Sequence, residues 1–135
     1  MSYPIADIDG LDDDTALILK SAKIRTTEKL LDLARTSRGR KALALKTGID
    51  EKRLLAFANM ADCMRVRGIS KEYAELLRAA GVDTVKELKY RNPANLAQAM
   101  AEANRKRKQV RLLPSEKLIT RWIEHARKLP LKITY

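Results

Sequence analysis

With 28 lysines and arginines against 17 aspartates and glutamates, this 135-residue chain carries a net charge of +11. That draws it toward polyanions and anionic surfaces, and its length bounds it at about one domain. One cysteine, Cys63, and one histidine, His125, exclude an internal disulfide and any metal site built mainly from Cys and His. No apolar run approaches the ~20 residues a bilayer-crossing helix needs, and the N-terminal segment has no charged leader followed by an apolar stretch. A soluble, cytoplasmic protein with no membrane role is therefore expected.

Apolar residues recur at helical spacing almost throughout and alternating β-rich runs are missing, so the expected fold is all-α with about eight short helices. Asp12 or Asp13 precedes the first, Thr15 to Lys23, and Thr26 precedes the second, Glu28 to Arg35. A third runs from about Arg38 to Lys46, where Gly48 stops it. Asp50 opens the fourth, Lys52 to Met64. Ser70 opens the fifth, Glu72 to Ala80, and Asp83 or Thr84 the sixth, Lys86 to Tyr90. Pro93 suits the first turn of a seventh that reaches about Asn104. Ser115 begins the last, Lys117 to Lys128, and only Leu131 to Tyr135 is open to an extended conformation.

These elements repeat. Ile8-Asp-Gly10-Leu11, Ala16, Leu19, Ile24 and Thr26 to Leu30 return as Val66-Arg-Gly68-Ile69, Ala74, Leu77, Val82 and Thr84 to Leu88, since 66 − 8, 68 − 10 and 88 − 30 all equal 58. Asp50-Glu-Lys before Phe57-Ala-Asn-Met-Ala61 returns as Ser115-Glu-Lys before Trp122-Ile-Glu-His-Ala126. That offset is 65, and its extra seven residues fall around Asn104 to Leu113. The expected organisation is one domain over 1–135, made of pseudo-repeat 5–64, pseudo-repeat 65–129 and a short tail 130–135. Four short helices bury little alone, so the halves are expected to pack together. Charge is uneven between them. Residues 1–34 hold four basic and seven acidic side chains, 35–91 fourteen and seven, and 92–135 ten and three.

Each copy places a glycine turn before a helix. A helix N-terminus leaves backbone N–H groups without partners and carries about half a positive charge, so it holds a phosphate without side-chain help. Gly68, Ile69, Ser70 and Lys71 are the candidate cradle, with Arg67 and Lys71 adding charge and Ser70 free to cap or to donate outward. In the first copy the turn runs into Asp12, Asp13 and Asp14. Each would repel a phosphate at ~4 Å by about 1 kcal/mol even in near-aqueous surroundings. Those aspartates read as helix capping, with a protein-partner surface as the alternative, and their spacing is not that of a calcium loop.

The pattern apolar-x-Gly-Ile-Ser-x-x-Tyr-Ala-x-Leu-Leu-x-Ala-Ala-Gly-Val from Val66 to Val82 resembles a helix-hairpin-helix motif, a reader of the DNA backbone. The longer string is more specific: Thr47-Gly-Ile-Asp, Leu54-Leu, Asn59-x-Ala-Asp62, Gly68-Ile, Glu72-Tyr-Ala, Ala80-Gly-Val-Asp-Thr-Val-Lys-Glu-Leu88 and Arg91-Asn-Pro. It resembles a bacterial family of unknown function built from tandem helix-hairpin-helix units, over about residues 5 to 129. The resemblance implies an all-α, SAM-like double repeat that binds nucleic acid, and no established reaction. Two departures stand out. Ser70 and Asp12 occupy the second glycine of the usual Gly-x-Gly hairpin, and Lys23 stands where the second copy has Gly81.

Arg105, Lys106, Arg107 and Lys108, followed by Arg111, form the densest charge on the chain, inside the segment that lengthens the second half. They read as a solvated face or as phosphate contacts. Arg35, Arg38, Arg40, Lys41 and Lys46 make a second cluster near a helix start, where they oppose the macrodipole and so add some weight to a binding role for exposed side chains. Of the six aromatics, Phe57 and Trp122 hold matching positions in apolar faces and are expected in the core, as is Cys63. Tyr73 is expected to pack, and His125 to lie at the surface or an interface. The usual nucleophile, phosphate-loop and dinucleotide signatures are missing, so neither catalysis nor a cofactor is expected. Two functions remain: a non-sequence-specific duplex-backbone binder using Arg67 to Lys71 and Arg105 to Arg111, or a SAM-like protein scaffold without a nucleic-acid role.

Overall fold

Short polar side chains start seven of the eight α-helices found among residues 2–135, the residues described by this computed structural model. Asp12 accepts a hydrogen bond from the Thr15 N–H ahead of α1 (Asp13–Ser21), and Thr26 from Lys29 N–H ahead of α2 (Thr27–Ala34). Thr36 caps α3 (Ser37–Thr47) and Asp50 caps α4 (Glu51–Cys63). Thr84 caps α6 (Val85–Lys89), Asn92 caps α7 (Pro93–Lys106) and Ser115 caps α8 (Glu116–Lys128). Such a cap contributes about 0.5–2 kcal/mol. Ser70 precedes the remaining helix, α5 (Lys71–Ala79), but makes no side-chain cap bond.

The fold is all-α, with each helix within two residues of its expected bounds, because the residue after the cap is already helical. Two differences matter. α7 continues two residues past Asn104, which carries Arg105 and Lys106 into its last turn. A short 3-10 turn, Ile5–Asp7, precedes α1 and has no helical periodicity long enough to announce it. The tail is not helical, and its Thr134 N–H donates to Arg35 C=O at 2.8 Å.

Backbone bonds recur at the 58-residue offset. Leu11 N–H donates to Ile8 C=O and Ile69 N–H to Val66 C=O, at 3.3 and 3.1 Å, closing the turn before α1 and before α5. Past those helices, Ile24 N–H reaches Leu19 C=O at 2.9 Å and Val82 N–H reaches Leu77 C=O at 2.8 Å. The left-handed residues between are Lys23 (φ 66°) and Gly81 (φ 95°). Both helices end in the same turn, and after α1 it is Lys23 that carries a side chain in a conformation that costs a non-glycine residue about 1–2 kcal/mol.

One cluster of buried apolar side chains runs from Ile5 to Ala126. Within it α2 packs on α3 and α4, α4 on α5, α5 on α7, and α8 on both α6 and α7. Phe57, Trp122 and Cys63 are buried, as expected, and the Cys63 thiol donates to Asp83 C=O at 3.1 Å. Arg40 corrects the reading of the second basic cluster. It is buried, and its guanidinium donates to Ala34 C=O and Thr134 C=O at 2.9 and 2.7 Å, so it ties the tail to the end of α2 instead of facing solvent.

Candidate nucleic-acid interface

Val66 and Ile69 anchor the turn before α5 in the core, leaving Arg67, Gly68 and Lys71 exposed and Ser70 half-buried. The Ile69 N–H is taken up inside the turn by Val66 C=O, so it is not available to a ligand as the four-residue cradle requires. Gly68, Ser70 and Lys71 N–H have no partner among the described residues. With Ser70 not capping, the N-terminus of α5 stays open. Gly68 has φ 92°, a conformation glycine adopts without the side-chain penalty.

α8 supports this turn from beneath. A Cβ at Gly68 would stand 3.0 Å from Trp122 Nε1 and 3.7 Å from its Cδ1, so the missing side chain is what lets the indole approach. The Trp122 ring is fully buried, and its Nε1–H is an orphan donor aimed at the turn. Tyr73, half-buried in the first turn of α5, tilts against the same ring at 57° with centroids 5.2 Å apart. One turn further along α8, His125 Nδ1 accepts the Arg67 N–H at 3.0 Å, a bond that requires the proton of the neutral ring on Nε2. Burial, and then the positive charges of Arg67, Lys128 and Arg65, lower the His125 pKa from its usual value.

The matching turn before α1 is closed. Asp12 accepts from Thr15 N–H at 2.7 Å, and its hydrogen bonds with Thr15 hold its carboxyl below the usual carboxylate value. Asp13 and Asp14 are exposed beside it. Asp9, just before Gly10, lies near Glu75 of α5. Burial, and then the Asp9 charge, raise the Glu75 pKa. The two turns share their backbone and differ in what their helix N-termini offer an anion.

In the longer segment, Asn104 organises the basic run. Its Oδ1 accepts from Gln109 N–H at 2.8 Å and Val110 N–H at 3.1 Å, and its Nδ2 donates to Val110 C=O at 3.1 Å. Val110 is thereby seated in the core while Arg105, Lys106, Arg107, Lys108 and Arg111 stay exposed. Arg105 pairs with Glu102 one turn back, which the sequence reading omitted. Arg105 and Lys106 also complement the negative end of the α7 dipole, a stabilising role independent of any ligand. No hydrogen bond or ion pair joins this run to Arg67 to Lys71 among the described residues. The packing of α5 on α7 is the link between the two segments.

Sequence reasoning missed two participants, the Trp122 indole N–H and the His125 ring. The only signal for them was their place on one helix, at a spacing that puts residues 122 and 125 on the same face. Burial, then the charges of Asp62 and Asp83, push the Cys63 thiol well above its usual pKa, so it offers no thiolate. Among the described residues no group of three or more His, Cys, Asp or Glu is placed to hold a metal ion, and no helix is long and apolar enough to cross a membrane.

A family model described as Domain of unknown function (DUF4332) matches residues 9–129. No curated protein and no solved structure matches the chain.

Proposed function

That match spans most of the chain, which therefore belongs to this domain family of unknown function, and we propose that the protein binds the phosphate backbone of duplex nucleic acid without reading base sequence. In this reading the two units are helix-hairpin-helix copies, which the turn hydrogen bonds recurring at an offset of 58 support. They are unequal. The second copy carries the contact and the first serves the fold.

The observation that carries the proposal is the open N-terminus of α5. The other seven α-helices have a side-chain cap, whereas α5 begins with an uncapped Ser70 between exposed Arg67 and Lys71. The glycine with φ 92° lets a polymer backbone approach, and the Gly68, Ser70 and Lys71 N–H groups meet one phosphate with the helix dipole behind them. Lys106, Arg107, Lys108 and Arg111 then supply further phosphate contacts, which position the protein on the duplex and carry no base information. The acidic start of α1 is expected to face away from the polyanion.

The test is a fluorescence titration of labelled duplex DNA at several salt concentrations. Binding is expected at ~50 mM salt, with a log–log slope of roughly −0.9 for each phosphate neutralised. The Arg67→Glu plus Lys71→Glu variant should weaken binding at least ~10-fold and flatten the slope by about two contacts. No binding at low salt overturns the proposal. Sensitivity only to charge reversal at Arg105 to Lys108 overturns the assignment of the turn and leaves diffuse attraction in its place.

A further inference from the structure

α1 and α3 leave an apolar groove of about 500 Å³, lined by Leu17, Ile18 and Ser21 of α1, by Ala22 just past its end, and by Lys46 and Thr47 of α3. Leu17 is 62% exposed and Ile18 41%. They lie on the outer face of a helix whose inner face, Thr15, Ala16 and Leu19, is buried. Two neighbouring large aliphatic side chains in the open forgo the burial that stabilises the rest of the chain.

The charges around the groove say what fits it. Asp13 and Asp14 stand exposed at the N-terminal end of α1, while Lys20 stands at its C-terminal end and Lys46 across from it. None of these four is in an ion pair among the described residues. Asp14 and Lys20 are each three residues from Leu17, since 17 − 14 and 20 − 17 both equal 3. Rotating α1 by a two-fold axis through Leu17 lays it antiparallel on a copy of itself. Leu17 then meets Leu17, and Asp14 of each copy faces Lys20 of the other. Self-complementarity of this kind is what an isologous interface requires, and both signs must sit on one patch for it to occur.

We propose that the α1 face is a homodimer interface, occupied by α1 of a second copy of this chain. The pairing closes the groove, covers Leu17 and Ile18, and neutralises the acidic start of α1 against the Lys20 and Lys46 end of the partner. It lies on the first half of the chain and is independent of the α5 turn, so nucleic-acid binding neither requires nor excludes it.

Sedimentation equilibrium between ~1 µM and ~1 mM protein tests it, a range spanning the affinities of weak to moderate dimers. A monomer–dimer equilibrium is expected in the absence of nucleic acid. Leu17→Glu should weaken it at least ~10-fold, and Asp14→Lys should weaken it as well. The double variant Asp14→Lys plus Lys20→Asp restores the pairing in an antiparallel dimer, so recovery of dimer is the decisive result. Leu17→Glu and Leu45→Glu are expected to keep the parent melting profile, Asp14→Lys and Lys20→Asp each oppose the α1 dipole by about 0.3–1 kcal/mol, and circular dichroism checks that every variant is folded at the temperature of the measurement. Leu45→Glu, at a 90% exposed leucine that does not line the groove, should leave the equilibrium unchanged. A monomer at every concentration, a double variant no better than Asp14→Lys, or an effect of Leu45→Glu equal to that of Leu17→Glu overturns the proposal.

Discussion

Trp122 Nε1 stands 3.0 Å from the point that a Cβ on Gly68 would occupy, so the packing of α8 and the conformation of the turn before α5 impose a single condition on residue 68. Gly68→Ala is expected to cost about 2–3 kcal/mol, of which 1–2 is the left-handed backbone and the rest displacement of the indole. Gly10→Ala should cost only the backbone share. Gly10 has φ 81°, and a Cβ there meets nothing within 4 Å. Urea midpoints at unchanged slope would measure both. Equal losses would show that the approach to Trp122 contributes nothing.

The starts of α2 and α6 are also held differently. In α2, Thr27 N–H donates to Tyr3 C=O at 2.8 Å. At the matching place, Val85 N–H donates to the Asp62 carboxylate at 2.9 Å, and the other Asp62 oxygen lies 2.7 Å from Arg65. Asp62 is buried, so Asp62→Ala takes the acceptor from the Val85 amide and one partner from the Arg65 guanidinium, which still donates to Pro130 C=O, and should cost about 1–3 kcal/mol. Asp62→Asn keeps an acceptor for Val85 and should cost less. Denaturant titration of both variants checks the order.

Local chemistry was legible because it is written in consecutive residues. Asp12, Thr26, Asp50 and Ser115 each announced a helix start, and Gly68 and Ile69 announced a turn. What joins distant segments was not legible. Nothing adjacent to Arg40 marks it as buried, because the carbonyls it satisfies belong to Ala34 and to Thr134 at the other end of the chain. His125 likewise took its meaning from Arg67, on another element. Ser70 misled in the opposite sense. A residue type that favours capping stands at the N-cap position with the extended backbone of the capping residues, and its side chain still makes no cap bond.

His125 gives the fold a pH dependence of definite sign. Its folded pKa is below the unfolded value of ~6.5, so the native state binds fewer protons than the unfolded chain. Its contribution is complete above ~6.5 and is lost as pH falls toward the folded value. Protonation removes the Nδ1 acceptor from the Arg67 N–H and adds a cation beside Arg67, Lys128 and Arg65. Glu75 works against this, since its pKa is raised and protonation relieves its repulsion from Asp9. The difference between parent and His125→Gln isolates the histidine. Melting temperatures measured from pH 8 to pH 5 should fall more for the parent than for the variant, and parallel curves would remove His125 from the account.

Arg40 and Lys41 are neighbours in sequence with opposite expected roles. Arg40 donates to the Ala34 carbonyl, one of the groups that the end of α2 leaves without a helical partner, and to Thr134 C=O, while Thr134 N–H returns a bond to Arg35 C=O. Arg40→Met matches the volume but strands the buried carbonyl, and should cost about 1–3 kcal/mol while speeding amide exchange at Thr134. Lys41 is exposed, and Lys41→Met should change stability by no more than ~0.5 kcal/mol. Hydrogen exchange of Thr134 in the two variants separates them. If Thr134 exchanges as slowly in Arg40→Met as in the parent, the guanidinium does not hold the tail.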